Sequence, residues 1–243
     1  GRSPKPVYLY IQDDKAELLD AAHLWGRSVW EAEPAIKNTH NDPLIRVASI
    51  GPAGEYGSHY ACIVNDLHRA AGRSGVGAVM GSKHLKAIAV RGTAGVTVAD
   101  PKGFMAAVKS TNDMLAEREG RMHFTRYGTI PMMDVTGSFG ALPTRNNREV
   151  QFEGADKINA TAMQSPNENG HTNLITNGAC FACTIGCGRI CHIDPQHFSV
   201  KDRPEYHGAS GGLEYETAYA LGAAVGVDDI DAATFAGFMC NEY

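Results

Sequence analysis

The 243-residue chain has no apolar stretch approaching the roughly 18 residues that a membrane span requires, so no transmembrane helix is expected. It has no long basic run, and its net charge is −5, which argues against nucleic acid as a partner. It opens with no signal peptide. It has only six cysteines, and they are not spread along the chain as a disulfide framework would be. Clustered thiols instead point to a reducing, cytoplasmic compartment where they bind metal. There is no internal repeat and no low-complexity tract. The first residues, GRSPKP, lack an initiator methionine, and the last, MCNEY, stop inside an apparent helix, so a segment of a longer protein is expected.

What is present is ordinary globular material. A hydrophobic fraction of 43% against 20% charged residues supports one or two domains with a real core. VYLYIQ (7–12), RVASI (46–50), ACIV (61–64) and LKAIAV (85–90) read as strands. Asp13 and Asp14 are expected to cap a helix carrying Leu18, Ala22 and Trp25 at helical spacing. After about residue 95 the character changes. Asp100 followed by Pro101 is a strong helix start. Residues 131–150 read as loop, 153–163 as a short helix, and 214–227 and 229–243 as two longer helices. The chain is therefore of the α+β class, with a mixed first part (1–95) and a mainly helical second part (96–243).

Cys180, Cys183 and Cys187 form a C-x2-C-x3-C run, and Cys191 follows. Tight gaps aim several thiolates at one centre, which suits zinc or an iron–sulfur cluster. His192 or His197 could complete a zinc knuckle, and Cys191 could be a fourth cluster ligand. Three close cysteines with one remote ligand fit a cluster better, because no second CxxC exists. Cys62 and Cys240 stand alone and read as small buried apolar residues.

The stretch RAAGRSGVGAVMGSKHLKAIAVRGT (69–93) sets Gly72, Gly75, Gly77 and Gly81 among Arg69, Arg73, Lys83 and Lys86. Small residues permit close backbone approach, and amides beside cations favour an anion such as phosphate. The glycine spacing is neither that of a Walker loop nor that of a dinucleotide fingerprint, and no clear strand–turn–helix unit is evident around it. The alternative is a glycine-rich packing corner.

IGPAGE (50–55), the glycine stretch, YGT (127–129), GALPTRN (140–146), CFACTIGC (180–187) and EYET (214–217) come in the order seen in the aldehyde ferredoxin oxidoreductase family, which the chain resembles through nearly its whole length. The resemblance implies a cytoplasmic, anaerobic enzyme with a tungsten (or molybdenum) bis-pterin, a magnesium ion and a 4Fe-4S cluster. It implies the end of a cofactor-cradling domain over 1–95 and a truncated helical domain carrying the cluster cysteines over 96–243. Cys180, Cys183 and Cys187 match the clustered ligands, the fourth lies outside the segment, and Cys191 is a bystander. Ala53 matches a backbone carbonyl that faces magnesium, and Arg69, Arg73, Gly75, Gly77, Gly81 and Lys83 fall in the bed of the pterins. The implied reaction oxidises an aldehyde with water to a carboxylic acid and sends electrons to a ferredoxin or an electron-transfer subunit; a homo-oligomer is compatible with this. The family's active-site glutamate falls in EYET, with Glu216 favoured over Glu214; two residues apart, they cannot share one helical face. A plain helix N-terminal carboxylate is the alternative for each. Relatives that reduce aromatic-ring thioesters carry a histidine soon after this glutamate, and none stands here, which favours aldehyde oxidation. An iron–sulfur electron carrier and a zinc-stapled binding module are the competing classes.

Overall fold

The computed structural model describes residues 1–243, which form two compact units: Gly1–Val96 with Met239–Tyr243, and Thr97–Phe238. No helix is long and apolar enough to cross a membrane.

The first unit is built on a six-stranded sheet with the order β2-β1-β6-β3-β4-β5. Its strands are β1 (Val7–Gln12), β2 (Lys15–Asp20), β3 (Arg46–Ser49), β4 (Ile63–Asn65), β5 (Arg69–Ala71) and β6 (Leu85–Arg91). The β1–β6 pair is parallel and all the others are antiparallel. Central strands are apolar because they are covered: Tyr8, Val47, Ala87 and Ala89 pack with Leu24, Ile36 and Ile45. Ile36 lies on α1 (Val29–Thr39), which begins at a full capping box between Ser28 and Glu31.

Residues 15–20 are a strand, not the helix expected from their capping aspartates. Gln12 pairs with Lys15, so Asp13 and Asp14 are the two-residue loop of a hairpin, and Asp13 takes a left-handed φ of 52°. Aspartate serves such turns as readily as it serves helix caps, because its short side chain tolerates the left-handed region and satisfies local amides; the Asp13 carboxylate is instead taken up by a distant donor, the Thr93 amide, at 2.6 Å.

The second unit opens with α4 (Pro101–Ala116), where Asp100 accepts from the Gly103 amide at 2.9 Å as the Asp-Pro pair predicts. It continues through α5 (Glu119–Tyr127), α6 (Met132–Ser138) and α7 (Ala160–Gln164) to a three-stranded antiparallel sheet. That sheet runs β7 (Leu174–Gly178), β8 (Gly188–Cys191) and β9 (Ser210–Gly211). Two helices follow, α8 (Tyr215–Leu221) and α9 (Ile230–Glu242), the last turn of α9 from Met239 onward belonging to the first unit. Ile130, Met133, Leu142, Ile158, Met163 and Leu213 form the core. Three expectations need correction. The 131–150 loop contains α6, the small sheet interrupts the helical part, and the helix expected over 214–227 breaks at Gly222, where Ala218's carbonyl and Ile158 leave no room for a side chain.

Candidate functional site

In the first unit the GPAGE turn is the short helix α2 (Pro52–Glu55), which leaves the end of β3 through Ile50 and Gly51. Beneath it lies a buried ion pair. Lys86, from β6, is fully buried, and its ammonium donates to Glu55 Oε1 at 2.5 Å and to the Arg27 carbonyl at 2.6 Å. Glu55 Oε2 accepts from the Gly26 amide at 2.7 Å. Burial draws the Lys86 ammonium below the ordinary lysine value, and Glu55 opposes that fall. The Ala53 amide donates to the Tyr243 carbonyl at 3.0 Å, and its carbonyl accepts from Ser58 at 2.9 Å.

The glycine stretch does form a strand–turn–helix unit, contrary to its sequence reading: β5, a turn ending at Gly75 in the left-handed region, and α3 (Val76–Ser82). Its glycines permit close packing of backbone on backbone. A Cβ at Gly81 would overlap the Gly54 carbonyl of α2, one at Gly77 would overlap the Cys62 carbonyl, and one at Gly75 would sit 2.5 Å from the His59 carbonyl. Gly75, Gly77 and Gly81 thus lock α3 against α2 and the 59–62 loop. Arg69, Arg73 and Lys83 are exposed around this corner, while Ala53 is half-buried. The backbone groups packed on these glycines are carbonyls, which do not attract an anion, so the exposed Arg69, Arg73 and Lys83 are the groups here able to meet a phosphate-bearing ligand.

In the second unit the nine-residue loop 179–187 closes the β7–β8 hairpin and carries all three clustered cysteines. Cys180 and Cys183 are exposed and Cys187 is half-buried. Residues Ala182 (φ 54°) and Gly186 (φ 62°) turn the loop, and the Ile185 amide donates to Cys183 Sγ at 3.4 Å. No three His, Cys, Asp or Glu side chains converge as ligands of a single ion. A four-iron cluster spreads its thiolates wider than one ion does, and three accessible sulfurs with an amide directed at one of them suit its donor chemistry. Cys191 differs. It ends β8 inside the core, fully buried, and burial pushes its thiol up to about 12. His192 donates to the Thr172 carbonyl at 2.9 Å, and His197 Nε2 lies 3.0 Å from Asp229, so both rings are engaged away from the thiols. Cys62 is half-buried and Cys240 exposed, so the expected burial of Cys240 is not found.

Residues that sequence reasoning missed hold this loop. Arg121 of α5 donates to the Thr184 carbonyl at 2.8 Å, and the Thr125 hydroxyl donates to Ile185 at 2.6 Å. Arg189, 2% exposed, donates to the Gly186 and Cys187 carbonyls, each at 3.1 Å. It also reaches the α5 carbonyls of Thr125 and Arg126, each at 3.0 Å. Its position in CGRIC carries no sequence signal for this role. Gly128 marks where the parts meet: a Cβ there would lie 2.9 Å from the Cys187 carbonyl, 3.1 Å from Arg189 Nε and 3.3 Å from Glu214 Oε2.

The two candidate carboxylates differ in the same way as their spacing. Glu214 is the N-cap residue of α8, and its Oε2 accepts from the Thr129 hydroxyl at 2.7 Å. That hydroxyl in turn accepts from the Tyr215 amide at 3.0 Å. Glu216 is exposed on the first turn of α8.

Comparison with known proteins gives these features a common setting. The profile of aldehyde ferredoxin oxidoreductase, N-terminal domain, matches residues 1–92, and that of aldehyde ferredoxin oxidoreductase, domains 2 and 3, matches residues 106–243. A tungsten-containing aldehyde ferredoxin oxidoreductase of Thermococcus kodakarensis is 42% identical over 244 residues, spanning all of this chain and 38% of that protein. Its counterpart in Pyrococcus furiosus is 39% identical over 243 residues, all of this chain and 37% of that protein. Among solved structures, the active-site complex BamBC of benzoyl coenzyme A reductase with 1,5-dienoyl-CoA superposes with a TM-score of 0.74 at 26% identity, covering 100% of this chain and 36% of that one. The matched family and these relatives are named as oxidoreductases. The chain belongs to the aldehyde ferredoxin oxidoreductase family, and it spans a little over a third of the length of the curated relatives it matches.

Proposed function

We propose that the chain is the central part of a cytoplasmic tungsten- or molybdenum-pterin oxidoreductase that converts an aldehyde and water to a carboxylic acid. The reaction RCHO + H2O → RCOOH + 2 H⁺ + 2 e⁻ delivers its electrons through a 4Fe-4S cluster to a ferredoxin-like acceptor. The observation that carries the reading is the thiol loop: three cysteines on one hairpin loop, its turn fixed by α5 and Arg189, in a chain 42% identical to a tungsten-containing relative. That identity, against 26% to the benzoyl-CoA reductase structure, favours aldehyde oxidation over aromatic-ring reduction.

Cys180, Cys183 and Cys187 would hold the cluster. Exposed Arg69, Arg73 and Lys83 would meet pterin phosphates beside the Gly75, Gly77 and Gly81 corner, and the Ala53 carbonyl would help to hold magnesium. When bound, the metal–pterin group supplies the two-electron redox chemistry, and the protein supplies position and electrostatics. Proton movement falls to Glu216. Its neighbour Glu214 is held by Thr129, whereas the Glu216 carboxylate stands exposed at the start of α8 and is able to accept a proton from a hydrated aldehyde.

The test is aldehyde-dependent dye reduction by the anaerobically purified full-length protein across short, branched and aromatic aldehydes. Turnover with at least one aldehyde, with acid formed in equal amount to the electron pairs delivered, is expected. A fully metal-loaded protein that reduces no dye with any aldehyde would overturn the reading.

A further inference from the structure

A buried arginine ordinarily has a carboxylate partner, because an unpaired charge in the interior is costly. Arg189 is 2% exposed and has no carboxylate within ion-pair distance. Its donors end on five neutral carbonyls: Gly186 and Cys187 of the thiol loop, and Phe124 (3.4 Å), Thr125 and Arg126 of α5. The nearest candidate, Glu214, gives its Oε2 to Thr129 at 2.7 Å and acts on the guanidinium only through space. Carbonyl dipoles solvate a cation without neutralising it. A guanidinium stays charged at every accessible pH. The guanidinium charge therefore stands beside the backbone of Cys187, on the loop that carries three soft anionic donors, with the Glu214 carboxylate as the nearest opposite charge outside that loop.

We infer that Arg189 is the fixed counter-charge of the group held by Cys180, Cys183 and Cys187, and that it raises the reduction potential of that group. The inference rests on the cluster assignment proposed above. Thiolate-ligated iron–sulfur groups are anionic, and one-electron reduction adds a further negative charge. A buried cation a few ångströms from the ligand loop favours the form with the extra charge, and the low dielectric of the interior preserves the effect. Arg189 is thus a positioning and tuning residue: its five hydrogen bonds set the loop, and its charge sets the potential.

The experiment is a redox titration of the full-length protein, followed by the electron paramagnetic resonance signal of the reduced cluster, with iron measured on each sample. Arg189→Gln removes the charge and keeps polar reach. Arg189→Lys keeps the charge and loses most of the carbonyl bonds. The expected result is a midpoint at least tenfold less favourable to reduction in Arg189→Gln, which is about 59 mV for one electron, with Arg189→Lys near wild type. An Arg189→Gln cluster that titrates at the wild-type midpoint overturns the inference. So does an Arg189→Lys shift as large as that of Arg189→Gln, since geometry and not charge would then set the potential. If Arg189→Gln fails to load iron, Arg189→Lys decides alone: an unmoved midpoint supports the inference and a tenfold shift overturns it. A wild-type protein that holds no iron would overturn the cluster assignment itself, and the tuning role with it.

Discussion

Replacing Lys86 with methionine tests how the GPAGE turn is held. In the wild-type chain the ammonium is fully buried, and the Glu55 side chain is 2% exposed. The substitution fills similar volume but leaves the Glu55 carboxylate with the Gly26 amide as its remaining donor. Removing one partner of a buried pair strands the other charge and costs about 3–5 kcal/mol. The desolvation of Glu55 is the larger part of that cost, so removing both charges together should be nearly neutral. The readout is native-state amide exchange of the β6 residues around position 86, which reports local opening without requiring the whole protein to unfold in one step. At 1.36 kcal/mol per decade, Lys86→Met should accelerate that exchange roughly 10²–10⁴-fold. The double variant Lys86→Met/Glu55→Leu should recover most of it. Exchange in Lys86→Met within a few-fold of wild type would refute the reasoning, and so would a double variant worse than the single.

Three further outcomes follow from the same structure. Serine at Cys180, Cys183 or Cys187 should abolish cluster iron and its visible absorption in the full-length protein. Cys191→Ser should keep the iron while losing core stability, since it places a hydroxyl at a fully buried site; equal iron loss in Cys191→Ser and Cys183→Ser would show that the ligand set is misassigned. Gly81→Ala should force α3 away from α2, because its Cβ would overlap the Gly54 carbonyl, and lower thermal stability by about 1–3 kcal/mol or more; an unchanged melting profile would contradict the packing role. Glu216→Gln should retain tungsten and iron yet lose at least about 10²-fold in kcat, with a smaller loss in Glu214→Gln. Normal turnover in Glu216→Gln would remove it from the mechanism.

Much of the frame was legible because it rests on local chemistry. The apolar runs of β1, β3 and β6 are strands of the main sheet, each partly buried, and Asp100-Pro101 starts α4 as the sequence indicates. The thiol loop was visible in its spacing. What stayed hidden depends on distant partners. Asp13-Asp14 suits a cap and a hairpin equally, and only the pairing of Gln12 with Lys15 decides. The 174–211 sheet eluded the reading because its strands are short and mix Gly, Asn and Arg with few β-formers. In the candidate site, Gly75, Gly77 and Gly81 announced close approach, yet not that the approaching group is the protein's own backbone. Arg189 and Lys86 look like surface cations in the sequence. Their burial follows from acceptors lying 31 to 65 residues away, in Glu55 and the carbonyls of α5.

The central claim is that this chain carries the ligands of an iron–sulfur cluster within a metal–pterin enzyme. Metal analysis of the full-length protein, purified without oxygen, tests it most directly. The account predicts about four irons per chain together with tungsten or molybdenum. Iron alone would mark an electron carrier, and zinc alone a stapled binding module; either result would contradict the account.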